Sequence, residues 1–316
     1  RPTLADLSRP LFQRAVGNLV TNASWKHFWL NEGFTNYVTT RIVEQLYGAE
    51  VAAMNLQLEQ EEALASLASI APRKQALSTR GPDTDPAGYA DEGLVYPKGA
   101  WLLRTLEQRA GRAVFDPFLR GWFEQHAFQS VTAAQFVDYL QRQLLDAHPQ
   151  LMTAAELDEW LYAPGIPATA VREQAPRLAA LDLQRSAWLR GELATAALPG
   201  PQWIALEWMH FLNDITGKAS VPQLQQLDQQ FSLSRSGNQE IAYRFYLAAV
   251  TAGYDVRTPL AAFLGSVGRQ RFVLPLYAAL LKKPADAAWA RTVYAGARPH
   301  YHPLTQAAVD QLFAPR

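Results

Sequence analysis

The chain has 316 residues, of which 49% are hydrophobic and 18% are charged, so it can bury a large core and is long enough for about two domains. Lysine plus arginine equals aspartate plus glutamate at 29 each, which leaves no excess positive charge for nucleic acid or an anionic membrane. No apolar run approaches the ~20 residues that a membrane helix requires. We therefore predict a globular protein without nucleic-acid or membrane partners, and the absence of cysteine fits a reducing, cytoplasmic location.

The first part of the chain has a helical pattern. Four apolar residues recur every four positions and so fall in one row along a helix: Phe34, Val38, Ile42 and Leu46. Gly48 follows them and is typical of a helix end. A second helix, rich in good helix formers, is predicted from Glu50 to about Ile70. Turn residues from Gly81 to Gly88 then predict a loop.

A further helix is predicted after Thr132, which can form a capping box with Gln135. Three apolar residues of this helix share one face: Phe136, Leu140 and Leu144. The chain lacks the alternation of β-branched residues that a substantial sheet would show. These patterns predict a mainly all-α fold.

One motif of the first helix suggests a metal site. The sequence Trp29-Leu30-Asn31-Glu32-Gly33-Phe34 closely resembles the zinc aminopeptidase family, in the branch of leukotriene hydrolase and aminopeptidase B. In that family, H-E-x-x-H on one helix supplies two zinc ligands and a general base, and W-L-N-E-G-F supplies the third ligand. The resemblance implies that Glu32 is a zinc ligand and that the intact family member uses zinc.

The positions that correspond to H-E-x-x-H carry other residues. Arg9 stays protonated and would repel a dication, Pro10 carries no acid or base, and Gln13 offers only a neutral amide oxygen. No two histidines of the chain are spaced four apart: His27, His126, His148, His210, His300 and His302. We interpret these histidines as surface or capping residues and predict that this chain alone binds no zinc.

A second motif, Tyr96-Pro97-Lys98-Gly99, also resembles the family. There, a tyrosine before x-K-G donates its phenol to the oxyanion of the tetrahedral intermediate, which implies a catalytic role for Tyr96. The alternative is an aromatic side chain that anchors a loop to a helix. The accompanying Lys98 and Gly99 favour the catalytic interpretation.

A third resemblance lies near the C-terminus, where Gly268-Arg269-Gln270-Arg271-Phe272 matches a basic pair of the family's helical domain. The resemblance implies that Arg269 and Arg271 bind the carboxylate of a peptide substrate, since a guanidinium can grip a carboxylate through two parallel hydrogen bonds. A solvated arginine pair on a helix is the alternative, and the two interpretations have about equal support.

The stretch from Trp160 to Pro167 resembles the sequence that closes the family's catalytic domain, and its proline and glycine residues suit a boundary. We therefore predict two domains. Residues 1–167 are predicted to be the C-terminal part of a thermolysin-like peptidase domain, and residues 168–316 an α-helical repeat domain of the armadillo or HEAT kind.

The predicted function is that of the C-terminal portion of a zinc metallo-aminopeptidase, which removes N-terminal residues from peptides and is inactive as this chain. Residues 1–16 leave alternatives open. They belong to a truncated or aberrant fragment, or to a metal-free pseudoenzyme that acts as a peptide-binding or scaffolding module. A surviving zinc site of another kind is the least supported alternative, because ligands for it are lacking.

Overall fold

The computed structural model describes residues 17–79 and 94–314. The predictions for Arg9, Pro10 and Gln13, and for the loop from Gly81 to Gly88, lie outside the described residues. By its internal contacts the chain divides between Ala175 and Pro176 into an N-terminal unit and a C-terminal unit. The domain boundary predicted after Pro167 stays a prediction.

The N-terminal unit is built mainly of α-helices. They are α1 (Trp29–Tyr47), α2 (Ala49–Ser66), α3 (Val95–Ala110), α4 (Arg112–Gln125), α5 (Ala133–Leu140) and α6 (Ala154–Tyr162). Two short strands, β1 (Val20–Asn22) and β2 (Gln129–Val131), pair in parallel with Val20 opposite Gln129. A turn of π-helix over Gln141–Leu145 follows α5.

The first predicted helix is confirmed as α1, and Gly48 ends it. Gly48 has a φ of 87°, a conformation that glycine adopts without steric cost. Burial of the apolar row decreases towards the C-terminal end of the helix, since Phe34 is 1% exposed and Leu46 is 64% exposed. The second predicted helix is also confirmed, but it ends at Ser66 rather than at about Ile70.

The predicted capping box at the start of α5 is confirmed. The Gln135 backbone N–H donates to the Thr132 hydroxyl over 3.3 Å, and the Thr132 backbone N–H donates to the Gln135 side chain over 2.8 Å. Phe136, Leu140 and Leu144 are all buried, as their shared face predicts. Local sequence signals thus set both the start and the buried face of this helix.

Aromatic rings form the centre of the N-terminal core, around Phe136. The ring centroid of Phe136 lies 5.5 Å from that of Trp29, 5.4 Å from that of Phe34 and 5.1 Å from that of Trp122, each in an edge-to-face arrangement. Such pairs contribute about 0.5–1.5 kcal/mol each beyond the burial of their area. Because Trp29 and Phe34 flank Glu32 in the sequence, this core fixes the start of α1.

The C-terminal unit consists of helices α7 (Pro176–Leu189), α8 (Ala205–Asn213), α9 (Val221–Phe231), α10 (Gln239–Ala252), α11 (Arg257–Ser266), α12 (Gln270–Leu281), α13 (Pro284–Ala297) and α14 (Pro303–Phe313). Helices two apart in sequence pack together: α8 with α10, α10 with α12, α11 with α13, and α12 with α14. This alternation between two layers is typical of helical repeats. The prediction of a mainly α-helical chain is confirmed. None of the described helices combines the length and the apolar character needed to cross a membrane.

The histidines correct one prediction. His27 and His210 are buried rather than at the surface, being 7% and 5% exposed. Each has a polar partner that makes burial tolerable, because His27 Nδ1 accepts from the backbone N–H of Ala133 and His210 Nε2 lies 2.6 Å from Asp182. His302 does cap a helix, since its Nδ1 accepts from a backbone N–H at the start of α14.

Candidate functional site

Glu32 lies in the first turn of α1 and is 6% exposed. A carboxylate at this position is stabilised by the positive end of the helix dipole. The neighbouring Asn31 side chain ties the helix start to the preceding chain. Its Oδ1 accepts from the backbone N–H of Asn22 over 2.9 Å, and its Nδ2 donates to the Gly17 carbonyl over 3.4 Å. These hydrogen bonds therefore fix the stretch of backbone that carries the Glu32 side chain.

Two glycines bring α1 and α3 into backbone contact. A Cβ atom added to Gly33 would lie 2.8 Å from Cα of Gly99, and one added to Gly99 would lie 2.9 Å from Cα of Gly33. Both separations are shorter than any side-chain carbon tolerates, so this crossing requires glycine on both helices. The contact lies next to Glu32 and one helical turn from Tyr96. It thereby brings together the first turns of the two helices that carry these predicted residues.

Tyr96 is half-buried in the first turn of α3. Its ring meets the ring of Phe28 edge to face, with centroids 5.9 Å apart, and Phe28 directly precedes α1. The ring contact agrees with the interpretation of Tyr96 as an aromatic anchor between a loop and a helix. It does not conflict with a catalytic role for the Tyr96 phenol. The catalytic role of Tyr96 therefore stays a prediction.

The side chains on the Glu32 face of α1 are polar and buried. Thr35, Asn36 and Thr39 follow Glu32 at helical spacing, and each is at most 4% exposed. Three of their oxygen atoms have no hydrogen-bond partner in the described part of the chain: Thr35 Oγ1, Asn36 Oδ1 and Thr39 Oγ1. Buried polar groups are usually hydrogen-bonded, so this face is suited to additional polar contacts.

Lys98 has a structural role that the sequence did not reveal. It is 0% exposed, and its Nζ donates to the carbonyls of Gln75 over 3.0 Å and Ala163 over 2.8 Å. Burial lowers the pKa of Lys98 to about 8. This ammonium joins the start of α3 to the segment after α2 and to the end of α6. In the sequence, Lys98 is marked only by its position in the motif from Tyr96 to Gly99.

A buried ion cluster also links α1, α3 and α4. Glu107, on α3, is 3% exposed and accepts hydrogen bonds from Arg112 at 2.6 Å, from Arg104 at 3.0 Å and from the Tyr37 hydroxyl at 2.9 Å. Burial by itself would raise the pKa of Glu107, but the surrounding arginines and the tyrosine hold it below its usual value. Burial and the Glu107 charge raise the pKa of Tyr37. The cluster stabilises the pair of helices that carries Glu32 and Tyr96.

The described residues do not by themselves complete a zinc site. No three of their histidine, aspartate and glutamate side chains lie close enough together to hold a metal ion. Catalytic zinc requires three protein ligands, and the predicted ligand Glu32 would be one of them. Any zinc bound at Glu32 would need ligands from outside the described part of the chain.

In the C-terminal unit, Arg269 precedes α12 and Arg271 lies in its first turn. Both are exposed, and their guanidinium carbons lie 6.0 Å and 4.7 Å from the ring centroid of Phe272. Arg271 forms an ion pair with Glu240 of α10. Arg269 forms no ion pair with any residue in the described ranges. The carboxylate-binding role of this pair stays a prediction.

Two family models match the chain. The peptidase family M1 domain matches residues 11–160, and the leukotriene A4 hydrolase C-terminal domain matches residues 203–313. Leucine aminopeptidase 2 of Eremothecium gossypii is 32% identical over 93% of this chain and 51% of the relative. The leucine aminopeptidase 2 of Neosartorya fischeri is 31% identical over 98% of this chain and 52% of the relative. The chain thus spans about half the length of the curated relatives it matches.

Solved structures agree with these matches. Yeast LTA4 hydrolase in complex with bestatin has a TM-score of 0.86 and 26% identity, over 98% of this chain and 53% of that one. The native yeast LTA4 hydrolase has a TM-score of 0.84 and 27% identity over the same shares. The predicted fold, a partial peptidase domain followed by a helical domain, is confirmed. The chain belongs to peptidase family M1, in the branch with a leukotriene A4 hydrolase C-terminal domain.

Proposed function

We propose that this chain is the C-terminal portion of a zinc aminopeptidase that removes N-terminal residues from peptides, and that it is inactive by itself. Peptides are its proposed ligands, and the proposed location is cytoplasmic. The observation that carries this proposal is the Gly33–Gly99 contact, which places the first turns of α1 and α3 side by side. Glu32 and Tyr96 lie in those two turns.

The surroundings of Glu32 support this proposal. Its carboxylate is buried at the start of a helix whose polar side chains, Thr35, Asn36 and Thr39, share its face. A helix that only packs in a core would carry apolar residues there. In the intact enzyme, zinc would activate the water that attacks the peptide, and Glu32 would contribute one ligand. The remaining ligands are not among the described residues.

The first experiment measures hydrolysis of aminoacyl p-nitroanilides by this chain, with and without added zinc. We expect a rate no higher than that of a heat-treated sample. A zinc-dependent rate that Tyr96→Phe abolishes would contradict the proposed inactivity. Tyr47→Phe is the matched control, because Tyr47 is 44% exposed at the end of α1, away from the Gly33–Gly99 contact.

A chimaera tests whether residues 17–316 can complete an active enzyme. The N-terminal half of the Eremothecium gossypii relative would be fused to residues 17–316 of this chain. If the chain is a fragment of an active enzyme, the folded chimaera should hydrolyse the same substrates. Tyr96→Phe should then lower kcat by about 10²–10³-fold, as loss of an oxyanion donor does elsewhere. A folded but inactive chimaera would favour the metal-free pseudoenzyme.

The C-terminal unit supports peptide binding as a second candidate function. Arg269 is exposed and has no ion pair among the described residues, so its guanidinium is available to a carboxylate. We propose that Arg269 and Arg271 bind the C-terminal carboxylate of a peptide. Isothermal titration of matched acid and amide peptides should show weak, salt-sensitive binding that favours the acid. Equal affinities, or no change with Arg269→Ala, would leave the arginines as ordinary solvated charges.

A further inference from the structure

Glu240 is a buried carboxylate held between two arginines. It lies in the first turn of α10 and is 5% exposed. Its Oε2 accepts a hydrogen bond from Arg244 over 2.6 Å, and its Oε1 forms an ion pair with Arg271. A buried charge is tolerated only when it is compensated, and both arginines compensate this carboxylate.

The two arginines differ in their access to a ligand. Arg244 is 6% exposed, and its Nε donates to Asn213 Oδ1 over 2.5 Å while its Nη1 also donates to the Glu240 carbonyl over 3.2 Å. Its donors are therefore committed inside the unit. Arg271 contacts the same carboxylate, but its side chain is 46% exposed.

Arg271 is fixed on two sides. Glu240 contacts its guanidinium from α10, and the Phe272 ring lies 4.7 Å from its central carbon. An exposed arginine normally loses considerable rotamer freedom when it binds a ligand. A guanidinium already held by a carboxylate and a ring loses less, so its remaining donors are ready for an incoming anion.

The surface beside Arg271 carries a second positive charge. Arg269 is exposed and forms no ion pair with a described residue, and its neighbour Arg271 shares the buried Glu240 with Arg244. This exposed side of the arginine pair therefore favours an anion.

We propose that Glu240 is a positioning residue, which orients Arg271 for recognition of a peptide carboxylate and does not contact the ligand itself. This proposal rests on the proposed carboxylate binding by Arg269 and Arg271. It predicts the direction in which Glu240 changes the preference for acid over amide peptides. A residue that positions Arg271 strengthens the preference for acid over amide peptides, whereas a carboxylate that merely competes with the ligand weakens it.

The test compares the wild-type chain with Glu240→Gln, which removes the charge and keeps a side-chain acceptor. Glu192→Gln is the matched control, because Glu192 pairs with Arg190 at the surface of the same unit, where both side chains are about 60% exposed. At low salt, the wild type should prefer the acid peptide by up to about fivefold, the upper range for an exposed ion pair. Glu240→Gln should reduce this preference below about twofold, and Glu192→Gln should leave it unchanged.

A second measurement is independent of any peptide. Nitrogen-15 relaxation of the arginine Nε–H groups should show a rigid Arg271 side chain in the wild type and a mobile one in Glu240→Gln. Glu240→Asp should restore part of the rigidity and part of the acid preference, because it restores the charge.

The outcomes are distinguishable. A higher or an unchanged acid preference in Glu240→Gln would overturn the positioning role. An equally mobile Arg271 in both proteins would also overturn it. If the wild type shows no acid preference while Glu240→Gln still releases Arg271, the proposed carboxylate binding fails and the restraint of Arg271 by Glu240 stands as a structural fact.

Discussion

The contact between Gly33 and Gly99 gives the most direct test of how the site is built. In Gly33→Ala, the new methyl group would meet Gly99 Cα at 2.8 Å, the Gly99 carbonyl carbon at 2.9 Å and the Ala100 nitrogen at 3.2 Å. All three are backbone atoms, so relief requires α1 and α3 to move apart. Overpacking of this kind costs about 1–3 kcal/mol.

An opposing effect reduces the net loss. Alanine is favoured over glycine inside a helix by about 1 kcal/mol. Because the clash involves rigid backbone, we place its cost in the upper part of the range. The expected net effect of Gly33→Ala is a decrease of about 1–2 kcal/mol in the free energy of unfolding.

Urea unfolding followed by circular dichroism measures this effect, and hydrogen exchange of α1 and α3 localises it. Gly296→Ala is the control, because a Cβ atom there meets nothing within 4 Å and the residue lies inside α13. That variant should gain roughly 0.5–1 kcal/mol. If Gly33→Ala is as stable as the control, or if exchange in α1 and α3 is unchanged, the two helices do not depend on this contact.

Three further predictions concern charge, metal and capping. Because burial lowers the pKa of Lys98 from 10.5 to about 8, the unfolded chain binds more protons between these pH values. The wild type should therefore gain stability relative to Lys98→Met as the pH rises from 8 to 10.5, by up to about 3 kcal/mol, and parallel urea-unfolding curves across this range would refute the buried ammonium. With Glu32 as the one matching ligand, the dialysed chain should hold no stoichiometric zinc. Elemental analysis that finds about one zinc per chain, lost in Glu32→Ala, would contradict this expectation. Thr132→Ala should cost about 1 kcal/mol of stability and Thr132→Ser much less, since serine keeps the cap; equal thermal unfolding of the two variants would show that the capping box is dispensable.

Local signals in the sequence were reliable where neighbours along the chain decide the structure. Gly48 ends α1 because glycine accepts the φ of 87°, and Thr132 starts α5 because its hydroxyl accepts a backbone N–H three residues later. The exposure of Leu46 did not follow from its apolar row, because burial depends on what packs against each turn. The interpretation of His27 and His210 as surface or capping residues missed their burial for the same reason, since the partners that allow this burial lie on distant segments.

The sequence alone determined the family resemblance, the mainly helical class and the identity of the candidate residues, because motif spacing and helical periodicity are properties of the chain itself. It could not show that Gly33 and Gly99 touch, that Lys98 is enclosed by two carbonyls, or that Glu240 holds Arg271. Each of these contacts joins segments far apart in the chain. Only the packing of helices against one another brings them within bonding distance, so only the tertiary structure decided them.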